Sequence, residues 1–166
     1  KAVVTQSLGG SYTLHVPPGA IDLIVTQDAH TMTAPRRITV TAGGDPMTAD
    51  LALPQAGTLI VRARDAGSMR ALPVRIQAIP QTPPPAIPAT FGVPQPRNAR
   101  SLLAWSATGE GHFALPPGPH RVVISHGPEW DIYDASQTIA AGKDVTVAAD
   151  LLHSVDSTGV MCADFH

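Results

Sequence analysis

The sequence predicts an all-β protein, organised as tandem β-sandwich units of which the first is incomplete. Three observations predict it. Seventeen Pro and fourteen Gly in 166 residues punctuate the chain with turns, which favours many short strands. Several segments alternate apolar and polar side chains, the period-two pattern of a strand with one buried face. The chain also repeats itself at a spacing near 100 residues, too long for a solenoid and suited to tandem domains.

The repeat can be followed residue by residue. Leu14-His15-Val16-Pro17-Pro18-Gly19 leads into Ala20–Thr26, and 99 residues later Phe113-Ala114-Leu115-Pro116-Pro117-Gly118 leads into Pro119–Ser125. Downstream, Val40-Thr41-Ala42-Gly43 parallels Ile139-Ala140-Ala141-Gly142. After a one-residue gap, Thr48-Ala49-Asp50-Leu51 parallels Ala148-Ala149-Asp150-Leu151. Residues 1–53 then form a partial unit without its front half, and residues 54–154 form a complete one.

Alternation places the strands of the second unit. In Thr58–Arg64, Leu59, Val61 and Ala63 face one side and Arg62 and Arg64 the other. In Pro73–Ile79, Val74, Ile76 and Ala78 face in while Arg75 and Gln77 face out. The turn Asp65-Ala66-Gly67-Ser68 joins them, with Gly67 expected to supply a positive φ. Ser101–Trp105 is a short apolar run, Gly109-Glu110-Gly111 turns the chain into His112–Leu115, and the β-branched runs Arg121–Ser125 and Val145–Leu151 follow. Pro116-Pro117-Gly118 is expected to reverse the chain into the Val122–Ile124 strand. Gln81–Asn98 carries six prolines and reads as a stiff, polyproline-like connection between sheets rather than a docking arm.

Bulk composition excludes several function classes. Charged residues are 14% and hydrophobic residues 43%, which argues for packed structure over disorder. A net charge of −2 without a basic run gives no footing for nucleic acid. No apolar stretch reaches 18 residues, so no membrane span is expected. Cys162 is the single cysteine and excludes an internal disulfide, but secreted bacterial proteins need none. The compartment therefore stays open, with a periplasmic or secreted bacterial location favoured. Lys1 runs directly into Ala-Val-Val with no initiator Met, so the N-terminus is expected to be cut.

The chain shows no Gly-x-Ser-x-Gly elbow and no phosphate-cradling glycine loop. Cys162, within Val-Met-Cys-Ala, reads as a small buried hydrophobe rather than a nucleophile. His15, His30, His112, His120, His126 and His153 form no His-x-His or His-x-x-x-His pair, and each reads as a surface residue. Glu129, Asp131 and Asp134 surround Trp130 and Tyr133 in what reads as a packing or interdomain loop, with a sugar-stacking rim as the alternative.

Two resemblances sharpen this. Gly57-Thr58-Leu59-Ile60-Val61, Asp65-Ala66-Gly67, Leu72-Pro73-Val74-Arg75-Ile76 and Gly111-His112-Phe113-Ala114-Leu115-Pro116-Pro117-Gly118 follow one another in an order that resembles carboxypeptidase regulatory-like domains. These are prealbumin-like, also called transthyretin-like, β-sandwiches. The end of the chain, Asp156-Ser157-Thr158-Gly159 and then Cys162-Ala163-Asp164-Phe165-His166, resembles the opening Asp-x-His-x-His strand of PHP-type metal hydrolases. Sandwich followed by that strand is similar to the bacterial CehA/McbA-type metallohydrolases. Gly127-Pro128-Glu129-Trp130-Asp131-Ile132-Tyr133 also resembles a segment that such proteins carry before their catalytic domain.

The resemblance implies that 155–166 is a junction and the first strand of a PHP-like catalytic domain lying beyond the chain. It implies a divalent metal, Zn or Mn, and hydrolysis of a phosphoester or ester-like bond in the parent protein. His166 maps onto a metal ligand, and Asp164 onto a residue supporting it from behind. The chain itself then carries no catalytic residue and binds no cofactor. Its role is that of a non-catalytic accessory region, with the catalytic domain of the same polypeptide as its partner. The alternative is a carbohydrate- or surface-binding module in which Trp105, Trp130 and Tyr133 line one exposed face. Cut from its parent, Met161–Phe165 is expected to expose an apolar strand edge.

Overall fold

The computed structural model describes residue 5 and residues 9–27, 30–82 and 102–159. Every regular element among them is a β-strand: β1 (Gly19–Leu23), β2 (Arg36–Val40), β3 (Gly57–Asp65), β4 (Val74–Pro80), β5 (Leu102–Ser106), β6 (Glu110–Leu115), β7 (Gly118–Ser125), β8 (Tyr133–Ile139) and β9 (Asp144–Leu151). The all-β, sandwich-type architecture expected from the turn-rich, alternating sequence is the one observed.

β3 to β9 form two sheets, ordered β6-β3-β9 and β5-β4-β7-β8. Pairing is antiparallel except between β3 and β9, which run parallel with Leu59 opposite Val145 and Arg64 opposite Asp150. The inward residues of both sheets meet in one cluster. Leu59, Val61, Ile76, Ala78, Val122, Ile124 and Ala149 are completely excluded from solvent, with Ile139, Leu151 and Leu115 nearly so. Alternation causes this directly: Leu59-Val61-Ala63 and Val74-Ile76-Ala78 each project from one face of the pleat, and that face is the apolar one.

Four details depart from the sequence reading. His120 is buried, not exposed, at 2% exposure. It shares a face of β7 with Val122 and Ile124, so period two carries it inward. Gly67 does not supply the positive φ of the β3–β4 turn; Met69 does, at φ 59°. That turn is closed instead by hydrogen bonds from the Met69 amide to the Asp65 carbonyl and from the Asp65 amide to the Arg70 carbonyl. Asp65 Oδ1 also accepts from the Gly67 amide at 2.9 Å. Pro116-Pro117-Gly118 does not make a hairpin: it carries the chain from β6 in one sheet to β7 in the other. Finally, Tyr133–Ile139 is a full strand, where a loop had been expected around Tyr133. Gln81–Asn98 lies almost wholly outside the described residues.

β1 and β2 form a separate two-stranded sheet. Gly19 faces Val40 and Ile21 faces Ile38. In β7–β8, Gly118 faces Ile139 and His120 faces Gln137. Each pairing of β1–β2 thus recurs 99 residues later. Three glycines keep the same backbone sign and size at that spacing: Gly10 and Gly109 (φ 85° and 78°), Gly19 and Gly118 (132° and 130°), Gly43 and Gly142 (65° and 63°). Only glycine adopts the 130° values without strain.

Candidate functional site

His166 and Asp164, the residues assigned to a metal by resemblance, lie outside the described residues, as does Cys162. The end of the β3–β9 sandwich nearest to them in sequence is formed by two segments. There the segment 152–155 is held against the loop 127–131 by backbone hydrogen bonds: Asp131 amide to Leu152 carbonyl at 2.9 Å, and the Ser154 and Val155 amides to the Glu129 carbonyl at 2.9 and 3.1 Å. Trp130 and His153 form an isolated antiparallel bridge.

The side chains reinforce that backbone clasp. Trp130 packs on the core and lies between two imidazoles, edge-on to His126 at 5.1 Å and tilted against His153 at 5.0 Å. His126 Nδ1–H donates to the Pro73 carbonyl, which ties the cluster to the start of β4. His153 Nε2 stands 3.3 Å from Glu129 Oε2. The Glu129 carboxyl is held below its ordinary range, first by the Ser157 hydroxyl and then by His153. Asp65 is lowered by the Ser68 hydroxyl and the Gly67 amide, and Asp156 by the Thr158 hydroxyl and amide. His153 adds a smaller favourable charge interaction to both. The His153 imidazole thus pairs with Glu129 where the chain leaves the sandwich.

This arrangement holds the loop 127–131 against the segment 152–155. Among the described residues, no group of three or more His, Cys, Asp or Glu side chains could hold a metal ion. The aromatic residues do not share one exposed face. Trp130 and Tyr133 pack on the core, and Gln137 Nε2 donates to the Tyr133 hydroxyl at 2.9 Å. Trp105 alone of the three is open, at 70% exposure, on the outward face of β5 opposite Arg75.

The Trp130–His153 clasp was half legible in the sequence. The packing role of Trp130 was expected, but nothing in the sequence paired it with His153, which lies 23 residues away. Compared with known proteins, the chain matches no family model and none of the curated proteins. No helix among the described residues is long and apolar enough to cross a membrane.

Proposed function

We propose that the chain is the non-catalytic β-sandwich region of a bacterial metal-dependent hydrolase of the PHP type. In this reading its work is to hold and orient a catalytic domain that follows in the same polypeptide. The observation that carries the reading is the clasp at Glu129, Trp130 and His153. It fixes the chain to the sandwich as far as Val155, nine residues before Asp164, where the expected catalytic domain would begin. His166 serves as a metal ligand with Asp164 behind it. One imidazole cannot complete a site that needs three or four ligands, so the others come from beyond His166. Zn or Mn held by His166 and ligands from the following domain would supply the activated water for phosphoester or ester-like hydrolysis.

The test begins with the coding sequence past His166. The expected continuation places a second His two residues on, with further His and Asp residues downstream. The longer protein should then hydrolyse a chromogenic phosphoester only with Mn²⁺ or Zn²⁺. His166→Ala should abolish turnover while leaving the thermal transition of the sandwich unchanged. A continuation lacking that His removes the reading.

A second reading draws on the exposure of Trp105. An open indole on a sheet face beside Arg75 suits stacking against a sugar ring. Quenching of the chain's fluorescence by a panel of sugars, lost in Trp105→Ala, would favour a carbohydrate-binding module. No response to the panel favours the scaffold.

A further inference from the structure

The arginines on the described strands have partners with one exception. Arg37, Arg62, Arg64 and Arg121 each meet a carboxylate, those of Asp22, Glu110, Asp150 and Asp134. Arg36 donates to the Asp50 carbonyl. The Arg75 side chain has neither a hydrogen bond nor an ion pair among the described residues. Its place in the sheet explains this. Arg75 faces outward from β4, opposite Trp105 of β5 on one side and Ser125 of β7 on the other, and neither carries a charge. The strands of this sheet hold a single carboxylate, that of Asp134, and Arg121 already takes both of its oxygens.

The same face carries an open indole. Trp105 is the most exposed large hydrophobic side chain among the described residues. Leu102, Ala104 and Ser106 of β5 turn inward, so period two sends Leu103 and Trp105 outward together. Side chains directly opposite across a strand pair stand about 5 Å apart at Cβ. The Trp105 indole and the Arg75 guanidinium therefore form one platform, and Gln77 stands opposite Leu103 in the next outward row.

We propose that the outward face of β5 and β4 binds a uronic acid, a pyranose ring that bears one carboxylate. The proposal rests on the second reading above, in which Trp105 meets a sugar, and adds the charge that selects which sugar. The apolar face of the ring stacks on the indole. The Arg75 guanidinium takes the carboxylate through two parallel N–H···O bonds, the geometry that its planar fork matches. The Gln77 amide and the Ser125 hydroxyl, on either side of Arg75, serve the ring hydroxyls. One cation set among Trp105, Leu103 and Gln77 suits a ligand with one carboxylate per ring, whereas a phosphate polyanion draws its affinity from several cations. A flat platform on the face of a sheet also suits a ring, while an extended peptide adds along a sheet edge.

The test is a titration of the full chain with trigalacturonate and, in parallel, with its neutral counterpart α-1,4-linked galactotriose, followed by NMR. The Trp105 indole N–H and the Arg75 Nε–H signals are expected to shift, with the Trp130 indole unmoved. Trigalacturonate should reach its midpoint at a concentration about tenfold lower than galactotriose, the worth of a charge-assisted hydrogen bond. Added salt should narrow that gap. Trp105→Ala should abolish both responses, and Arg75→Gln should bring the two midpoints together. Both side chains are exposed, so each variant should keep the urea midpoint of the unmodified chain. Equal midpoints in the unmodified chain overturn the proposal and leave the sugar-binding reading standing. No response to either saccharide removes both. An equal response to triglutamate overturns the proposal, because charge alone then selects the ligand. A Trp105 signal that moves with protein concentration before any saccharide is added also overturns it, because the face is then covered by a second copy of this chain.

Discussion

At the scale of single residues, two positions carry local conflicts that the fold tolerates. His120 is buried with Nδ1–H donating to the Gly118 carbonyl at 3.1 Å, while Nε2 has no partner among the described residues. An unmet buried acceptor costs on the order of 1–3 kcal/mol, whereas an apolar group of similar shape there is close to neutral. The chain holds its own replacement, since Ile21 occupies the corresponding place on β1. His120→Ile is therefore expected to raise stability by about 1 kcal/mol, read as a higher urea midpoint at unchanged slope. Met69 sits at φ 59° with 53% of its surface exposed. It gives up little packing and carries left-handed strain of about 1 kcal/mol, so Met69→Gly should recover roughly that amount in the same measurement.

At the scale of elements, the outcome depends on whether a strand has neighbours on both sides. β4 is paired by β5 and β7 and contributes Ile76, fully buried, to the core. Ile76→Ala should destabilise the β3–β9 sandwich by about 2–5 kcal/mol through lost transfer energy and the cavity left behind. Val25→Ala, at a half-buried position beyond the end of β1, should cost under about 1 kcal/mol. The comparison is made by denaturant unfolding followed at Trp130, which packs on the core. β8 shows why some elements escaped the sequence. In Tyr-Asp-Ala-Ser-Gln-Thr-Ile only Tyr133 and Ile139 are large, so alternation is hidden in small and polar residues. Pairing with β7 makes the strand, and the recurrence of β2 at 99 residues was the signal that could have found it.

At the scale of the whole molecule, the outer faces are laced by ion pairs between neighbouring strands. Arg64 joins β3 to β9 through Asp150, Arg121 joins β7 to β8 through Asp134, and Arg37 joins β2 to β1 through Asp22. In each, the hydrogen bond from the arginine is the largest cause that lowers the carboxyl. Asp65, Glu129 and Asp156 are lowered by hydroxyl groups first. A carboxyl whose folded value is depressed binds fewer protons in the folded state than in the unfolded one. Its contribution is present above the ordinary value of about 4 and is lost as pH falls through the depressed value. Stability should therefore be level between pH 5 and 7 in these groups and fall steadily from about pH 4 downward. Urea midpoints at pH 7, 5 and 3 check this. Added salt should shrink the arginine share more than the hydroxyl share.

The sequence by itself determined the all-β class, the inward residues of β3 and β4 and the recurrence near 100 residues. Each of these is carried by local patterning: turn residues set where strands stop, and period two sets which face is apolar. Tertiary structure decided the rest. The parallel pairing of β3 with β9 joins residues more than 80 positions apart, and no local signal encodes such a register. The passage of Pro116-Pro117-Gly118 from one sheet to the other, the burial of His120 and the seating of Trp130 between His126 and His153 likewise depend on which surfaces meet. The same dependence separates two nearly equal stretches of sequence. Thr48-Ala49-Asp50-Leu51 stays unpaired and Ala148-Ala149-Asp150-Leu151 is a strand, because β3 lies beside the second.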